Sequence, residues 1–494
     1  MSKKKTIAVI GGGLGGLAAS IRLQSRGHQV LLFEKNDHTG GKLHDVRLGT
    51  YTFDFGPNTI TMPHVFQNVL QEAGESPDDY FTFERLTTHT KNAFPDGSSF
   101  CFSSDPERME EELAGLDLKS AKGYRSYLKE VSHLYELADT HFLKRTFSSW
   151  KDYMSLPLAK ALMSVKPLRS LDAFHRQFFS DGRIVQAFNR YATYIGSSPY
   201  RSPATFALIG HLELNDGVYY TKGGNVEIAK GLTKAARKLG VTILTGTEIE
   251  RIETSSHRVT GVVTKEDHFY KADGAVMNGD LLTQVPSLLD ERVRPGLSNK
   301  KMERFSPSVS AFVMMVAVRK RFDLHHHHVF FNDDYKGEFE SIFTHQSFAK
   351  DPTIYICTSS KTDPMRSPDG DNLFILVNAP PLTKEGLMTS DTKEYETLIF
   401  DRLKGRGIDI QPFLESKKTV TPKDIANRFY AYRGSLYGIA SNRRSDTFLR
   451  PYNQSADLSN LFFAGGSTHP GGGSPMVILS GMNAADSLIR ELGK

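Results

Sequence analysis

Residues 6–35, TIAVIGGGLGGLAASIRLQSRGHQVLLFEK, leave the chain little choice of local fold. The continuous apolar run from Ile7 to Ile10 predicts a buried strand. Gly11-x-Gly13-x-x-Gly16 follows it, then an amphipathic stretch from Leu17 to Ser25 and a second apolar run, Val30 to Phe33, ending at Glu34 and Lys35. Strand, glycine turn, helix, strand and terminal acid in this order predict a βαβ dinucleotide-binding unit. Gly11 suits the tight turn, Gly12 and Gly13 leave bare backbone for a pyrophosphate, and Gly16 lets helix and strand pack closely. Leu14 and Gly15 lie in the same turn, and the positive end of the helix that follows would face the phosphates. Glu34, eighteen positions after Gly16, is placed to hold a ribose hydroxyl pair, and its charge disfavours a 2′-phosphate.

The far end of the chain carries a matching device. NLFFAGG predicts an apolar strand ending at Gly465 and Gly466. STHPGGGSP reads as a turn, and a helix follows from Met476. Bare backbone around Gly473 can lie against a flat ring, and the helix start points its positive end there. Such an end favours negative charge on a reduced ring.

With 494 residues, the chain is long for one core and predicts two or three substructures. Hydrophobic and charged contents of 39% and 24% are those of a globular protein. The net charge of +5 suits an anionic membrane surface but is too weak to point to nucleic acid. Cys101 and Cys357 form neither a disulfide framework nor a metal-ligand spacing, which fits a reducing cytoplasm. Glycines interrupt the first apolar run, so no signal peptide is expected, and AFVMMVAV at 311–318 is too short to span a bilayer. The run His325 to His328 should alternate faces along a strand, so no metal site is expected. No nucleophile elbow is present either, and the catalytic residues stay open.

Residues 141–179 carry Lys/Arg at 144, 145, 151, 160, 166, 169 and 176 against Asp152 and Asp172. Trp150, Phe142, Phe147, Tyr153, Phe174, Phe178 and Phe179 are interleaved with them. This mixture predicts helices resting on a bilayer interface; a helical layer with a solvated basic face is the alternative.

Further residues carry a resemblance. Gly40, Gly41 and Lys42 follow Glu34 closely, and FDFGPNTITMP contains Gly56 and Pro57. Together with the two glycine turns, YIGSSPYRSPA at 194–204 and YRGSLYGIA at 432–440, these resemble bacterial carotenoid desaturases and oxidases of the phytoene desaturase family, nearest the C30 branch. The resemblance runs over essentially the whole chain. It implies FAD as the cofactor, held by Gly11 to Gly16, Glu34, Lys35, Gly41, Lys42, Gly56, Pro57, Ile249 near the adenine, Gly465, Gly466, Gly473 and Met476. Gly466-Ser467 lacks the acid that many related flavoproteins carry there, so no acidic ribityl contact is carried over.

The implied fold is α/β: a Rossmann-like FAD domain (1–85, 217–290 and 425–494), a helical membrane-facing region (86–216) and an inserted mixed sheet for substrate (291–424). The implied partner is a linear carotenoid, met by peripheral membrane contact. The glycine loops look more like the terminal oxidases, FLKRTF and FFNDDYKGEFESIF more like the desaturases. The expectation is oxidation of a terminal methyl to an aldehyde, with desaturation as the alternative. An amine oxidase and a non-enzymatic prenyl-chain carrier are the rival readings.

Overall fold

The structure is a computed structural model that describes residues 4–147, 152 and 156–493. A five-stranded parallel sheet takes the order 461–464, 274–278, 6–10, 29–33, 242–244. The predicted first strand lies at its centre, with Ile7 opposite both Val30 and Gly274. Alternation along this strand sorts the core. Ile7 and Val9 face a layer built from the helices Leu14–Ser25, Val226–Lys238 and Ser474–Leu492. Ala8 and Ile10 face the opposite side, with Val262 of the antiparallel strands 249–255, 258–264 and 269–271. Both faces are covered, as an apolar parallel sheet requires.

The first and last helices approach to backbone contact. A Cβ at Gly481 would lie 2.0 Å from the Gly15 carbonyl oxygen. Glycine at both positions is what lets the two glycine turns, from opposite ends of the chain, sit side by side.

A second sheet has seven strands in the order 414–420, 310–318, 371–379, 354–358, 327–330, 88–93, 99–103. Its neighbours are antiparallel except 327–330 with 88–93. One face packs Phe312, Met314 and Ile375 against the helix Thr392–Gly405. The other, with Val313, Met315 and Phe374, turns to Phe53 and Phe55 of a hairpin from the N-terminal region. Two of its strands correct the expectation of a helical region from 86 onward: THTKNA and SFCFS form a hairpin. Asp96 closes the turn by accepting from the Ser98 N–H, and Gly97 takes φ +84°.

The helical layer then begins at Pro106–Ala114 and continues in Leu118–Ala138, capped by Asp117 accepting from the Lys119 and Ser120 N–H groups. Tyr124, Tyr127, Leu128, Val131 and Leu134 form its buried stripe. Phe174, Phe178 and Phe179 of the 141–179 segment join this core instead of facing outward. Phe147, Phe174 and Phe179 are buried, and Phe178 meets Tyr127 at 5.6 Å between ring centroids. Trp150, Lys151 and Tyr153 lie outside the described residues, as does the side chain of Lys160. The exposed remainder is Lys144, Arg145, Arg169 and Arg176, with Met163 72% and Leu168 68% exposed. No helix among the described residues is long and apolar enough to cross a membrane.

The histidine run also departs from simple alternation, because the strand begins only at His327. The rings of His326 and His327 lie 4.5 Å apart, and one nitrogen of each and the Cys357 sulfur fall within 4.8 Å of one another. Each Nδ1 is engaged by a hydroxyl, of Thr362 for His326 and of Tyr355 for His327.

Candidate FAD and substrate cavity

The C-terminal edge of the parallel sheet opens into a cavity of about 510 Å3. Both glycine turns line it, so the first helix (N-cap Gly13) and the last (N-cap Gly473) start at its wall and direct unpaired backbone N–H groups there. Of the residues predicted from sequence, Gly11, Gly13, Leu14, Gly15, Glu34, Lys35, Gly41, Lys42, Gly56, Pro57, Ile249, Gly465, Gly466 and Gly473 line the cavity.

Three of the predicted residues do not. Gly16 packs helix on strand: a Cβ there would lie 2.0 Å from the Gly11 carbonyl oxygen. Gly12 turns its N–H to the Glu34 carboxylate at 2.8 Å. Met476 packs with the helical layer, and Val477 takes the place at the cavity that was expected of it.

Glu34 is buried at the end of its strand and also accepts from the Asn36 backbone and side-chain amides at 2.9 and 2.7 Å. Those bonds fix the carboxylate in the cavity wall, and a carboxylate oxygen retains lone pairs for a ribose hydroxyl. Lys35 donates to the Asn427 carbonyl and lies 3.3 Å from the centre of the Tyr430 ring. Gly56 takes φ +120°, and a Cβ there would meet the Lys42 carbonyl oxygen at 2.4 Å. Lys42 donates to the Ser435 and Leu436 carbonyls at 3.2 and 2.7 Å. Burial lowers its pKa to about 8, against the opposing pull of Asp280. Burial raises that of Asp280 in turn, opposed chiefly by the Tyr432 N–H and the Lys42 cation.

Several lining residues were missed from sequence: Asn278, Gly279, Asp280, Glu248, Tyr430 and Tyr437 among them. Asn278 is central, donating to the Gly11 carbonyl at 3.0 Å and so bracing the first turn. The signal was available, since 274–278 reads as a buried strand and NGD follows at its C-terminal end. In a parallel sheet that end lies beside the glycine turn.

The fit to FAD can be judged from this wall. Helix N-termini and bare glycine backbone suit a pyrophosphate, and Glu34 suits a ribose. A Cβ at Gly41 would stand 3.1 Å from the Gly13 Cα, so side chains at these two positions would crowd the same space. The wall beyond the glycines turns apolar, with Phe55, Val313, Phe374, Leu376, Phe429 and Leu436. One cavity thus joins a dinucleotide cradle to a greasy chamber.

Residues 14–489 match the family described as flavin containing amine oxidoreductase. The chain is 33% identical over 494 residues to a 4,4′-diapolycopene oxygenase of a Methylomonas species, covering 98% of each chain. It is 35% identical over 488 residues to a 1-hydroxycarotenoid 3,4-desaturase of a Flavobacterium species, again covering 98% of each. Among solved structures, the cyclohexylamine oxidase of Brevibacterium oxydans superposes with a TM-score of 0.61 at 15% identity, covering all of both chains, which bears on the fold alone. The chain therefore belongs to the flavin-containing amine oxidoreductase family and, within it, to the carotenoid desaturases and oxygenases, a membership that makes it an oxidoreductase and implies FAD as its cofactor.

Proposed function

We propose that the protein desaturates a linear carotene, removing a hydride from one chain carbon and a proton from its neighbour. The observation that carries this reading is the continuity of the glycine cradle with the apolar wall of Val313, Phe374 and Leu376. FAD, when bound, supplies the hydride acceptor. The protein's share is placement and exclusion of water. The sheet face and Phe55 would hold a flat polyene by dispersion and burial, and the lowered polarity would protect the reacting carbons. Placement alone is a large lever, since good alignment of reacting groups is worth several orders of magnitude in rate.

Terminal-methyl oxidation, the expectation from sequence, stands second, supported by the likeness to a protein named as a diapolycopene oxygenase. Desaturation asks only for the placement that this wall offers, and the likeness to a protein named as a carotenoid desaturase is of similar strength. Expression in a host that accumulates a linear C30 carotene separates the two. Desaturation yields a longer chromophore lacking two hydrogens per new double bond. A product that has gained oxygen would favour the second reading, and an unchanged pigment would count against both.

Substrates of this kind reside in bilayers, and we propose that the protein meets them through its exposed basic and apolar patch. Met163 and Leu168 project there, with Arg169 exposed and Lys166 partly so. Burying each apolar side chain in lipid is worth about 1.5–3 kcal/mol and each nearby cation about 1 kcal/mol. Met163→Asp with Leu168→Asp should therefore cut sedimentation with anionic liposomes at least tenfold. Unaltered sedimentation would place the contact elsewhere.

A further inference from the structure

The run His325 to His328 enters the sheet in a way that strand alternation alone does not dictate. His327 opens its strand directly opposite Cys357 of the neighbouring antiparallel strand, so ring and thiol share one face. His326 precedes the strand, and its carbonyl accepts from the Thr358 N–H at 2.8 Å. That bond holds the approach close against the strand 354–358, and the His326 ring lies 4.5 Å from that of His327. One nitrogen of each ring and the Cys357 sulfur thereby come within 4.8 Å of one another.

All three residues are buried, with His326 6%, His327 1% and Cys357 3% exposed. The Thr362 hydroxyl lies 2.6 Å from His326 Nδ1, and the Tyr355 hydroxyl 2.8 Å from His327 Nδ1. Nε2 of both rings is left buried with no hydrogen-bond partner. A neutral imidazole offers one donor and one acceptor, so each ring is only half satisfied. His89 and His175 also carry an unpartnered Nε2, but among the described residues only His326 and His327 converge with a third ligating group. One nitrogen fixed by a second group and the other left free is the arrangement of a metal-binding histidine.

We propose that His326, His327 and Cys357 bind a thiophilic metal ion, zinc or cuprous copper, through the two imidazoles and the thiolate. Two nitrogens and one sulfur suit both ions, and the set holds no oxygen ligand of the kind that selects magnesium or calcium. The thiol gives its proton to solvent as the sulfur binds. Bonds of about 2.0–2.3 Å put ligand atoms around a shared zinc about 3.5 Å apart. The cluster closes onto an ion by shifts of about an ångström, which rotation of the His326 side chain ahead of the strand supplies. A cuprous ion with one thiolate is neutral, the cheaper state in a buried setting, whereas zinc leaves one positive charge. On its other side Cys357 stands opposite Phe374, which lines the cavity. A bound ion thus ties two strands together behind the chamber floor, whichever substrate the chamber takes.

The test uses the full-length, flavin-loaded protein, stripped of metal with a chelator and divided between Zn2+ and, without oxygen, Cu+. After gel filtration the parent should retain one equivalent of metal and melt several degrees higher than the stripped sample. Competition with a chelator reads the affinity. Cys357→Ala and His326→Gln should each weaken it by more than roughly 100-fold, and Tyr355→Phe by about 10- to 100-fold through freeing the His327 ring. His325→Gln, outside the cluster, should bind as the parent does. Retention in one arm only supports the site and names the ion. Where a variant fails to fold, X-ray absorption at the metal edge of the loaded parent decides, with one sulfur at about 2.3 Å and two nitrogens at about 2.0 Å expected. No metal retained in either arm, metal held as tightly by the Cys357 and His326 variants as by the parent, or a metal shell without sulfur would overturn the site.

Discussion

Gly13→Val should yield a folded protein that purifies without flavin. The first turn accepts a Cβ at this position once the Asn278 side-chain amide, 3.2 Å away, gives by a few tenths of an ångström; the Gly41 Cα is at 4.0 Å. The two γ-methyls have no such room, because they extend into the space between Gly13 and Gly41 where the cradle is bare. A group seated on the Gly13 backbone would be displaced outright, since its contacts are to N–H groups the methyls cover. The contrast with the neighbouring turn residue makes the test clean. A side chain at Gly11 would strike the Asn278 carbonyl oxygen at 2.1 Å in a left-handed backbone conformation, so that variant would confound binding with folding. Flavin absorbance per mole of protein, beside an unchanged circular dichroism spectrum, reads the result. Full occupancy in Gly13→Val would mean that the cofactor does not lie on this turn.

Leu376→Trp should leave flavin bound and remove carotene turnover by roughly 100-fold or more, the scale expected when a reacting chain is displaced by about an ångström. Leu376 stands in the middle of the sheet row from Val313 to Tyr355, half-buried, with its face toward the cavity. An indole there would fill the chamber without touching the glycine turns. A companion change on the other face of the same strand, Ile375→Val, should cost only about 0.5–1.5 kcal/mol of stability and leave turnover alone, since Ile375 is buried in the core against the helix layer. The pair separates a blocked chamber from a damaged sheet. Turnover in Leu376→Trp equal to the parent would show that substrate approaches along another wall.

The glycine turns and Glu34 were legible in the sequence because local backbone geometry demands those residue types. A tight turn before a helix, a close helix-to-strand packing and an acid at a strand end each leave a mark at fixed spacing. Asn278, Asp280 and Tyr437 left no such mark. They reach the cavity through topology: Met277 sits opposite Ile10 across the sheet, and Tyr437 comes from a loop about four hundred residues from the first turn. The Phe residues of 141–179 show a different limit. Helical spacing of aromatics is the same whether they face lipid or a neighbouring helix, and only the fold brought Tyr127 and Phe188 against Phe179. Met476 was placed in the site because it opens the last helix; a shift of one position puts Val477 there instead. The strand at 88–93 was hidden by lysine, threonine and histidine, residues that alternate faces without the apolar contrast by which strands are read, whereas SFCFS at 99–103 does alternate, with Phe100 and Phe102 buried, and is only five residues long.

The most direct measurement of the central claim is anaerobic mixing of the flavin-loaded protein with liposomes bearing a linear carotene. A carotenoid oxidoreductase should lose its flavin absorbance in a single turnover, with an equal amount of a longer-chromophore carotenoid formed. Flavin that keeps its colour beside unchanged carotene, yet bleaches on addition of a simple amine, would contradict the assignment and return the protein to the amine-oxidising side of its family.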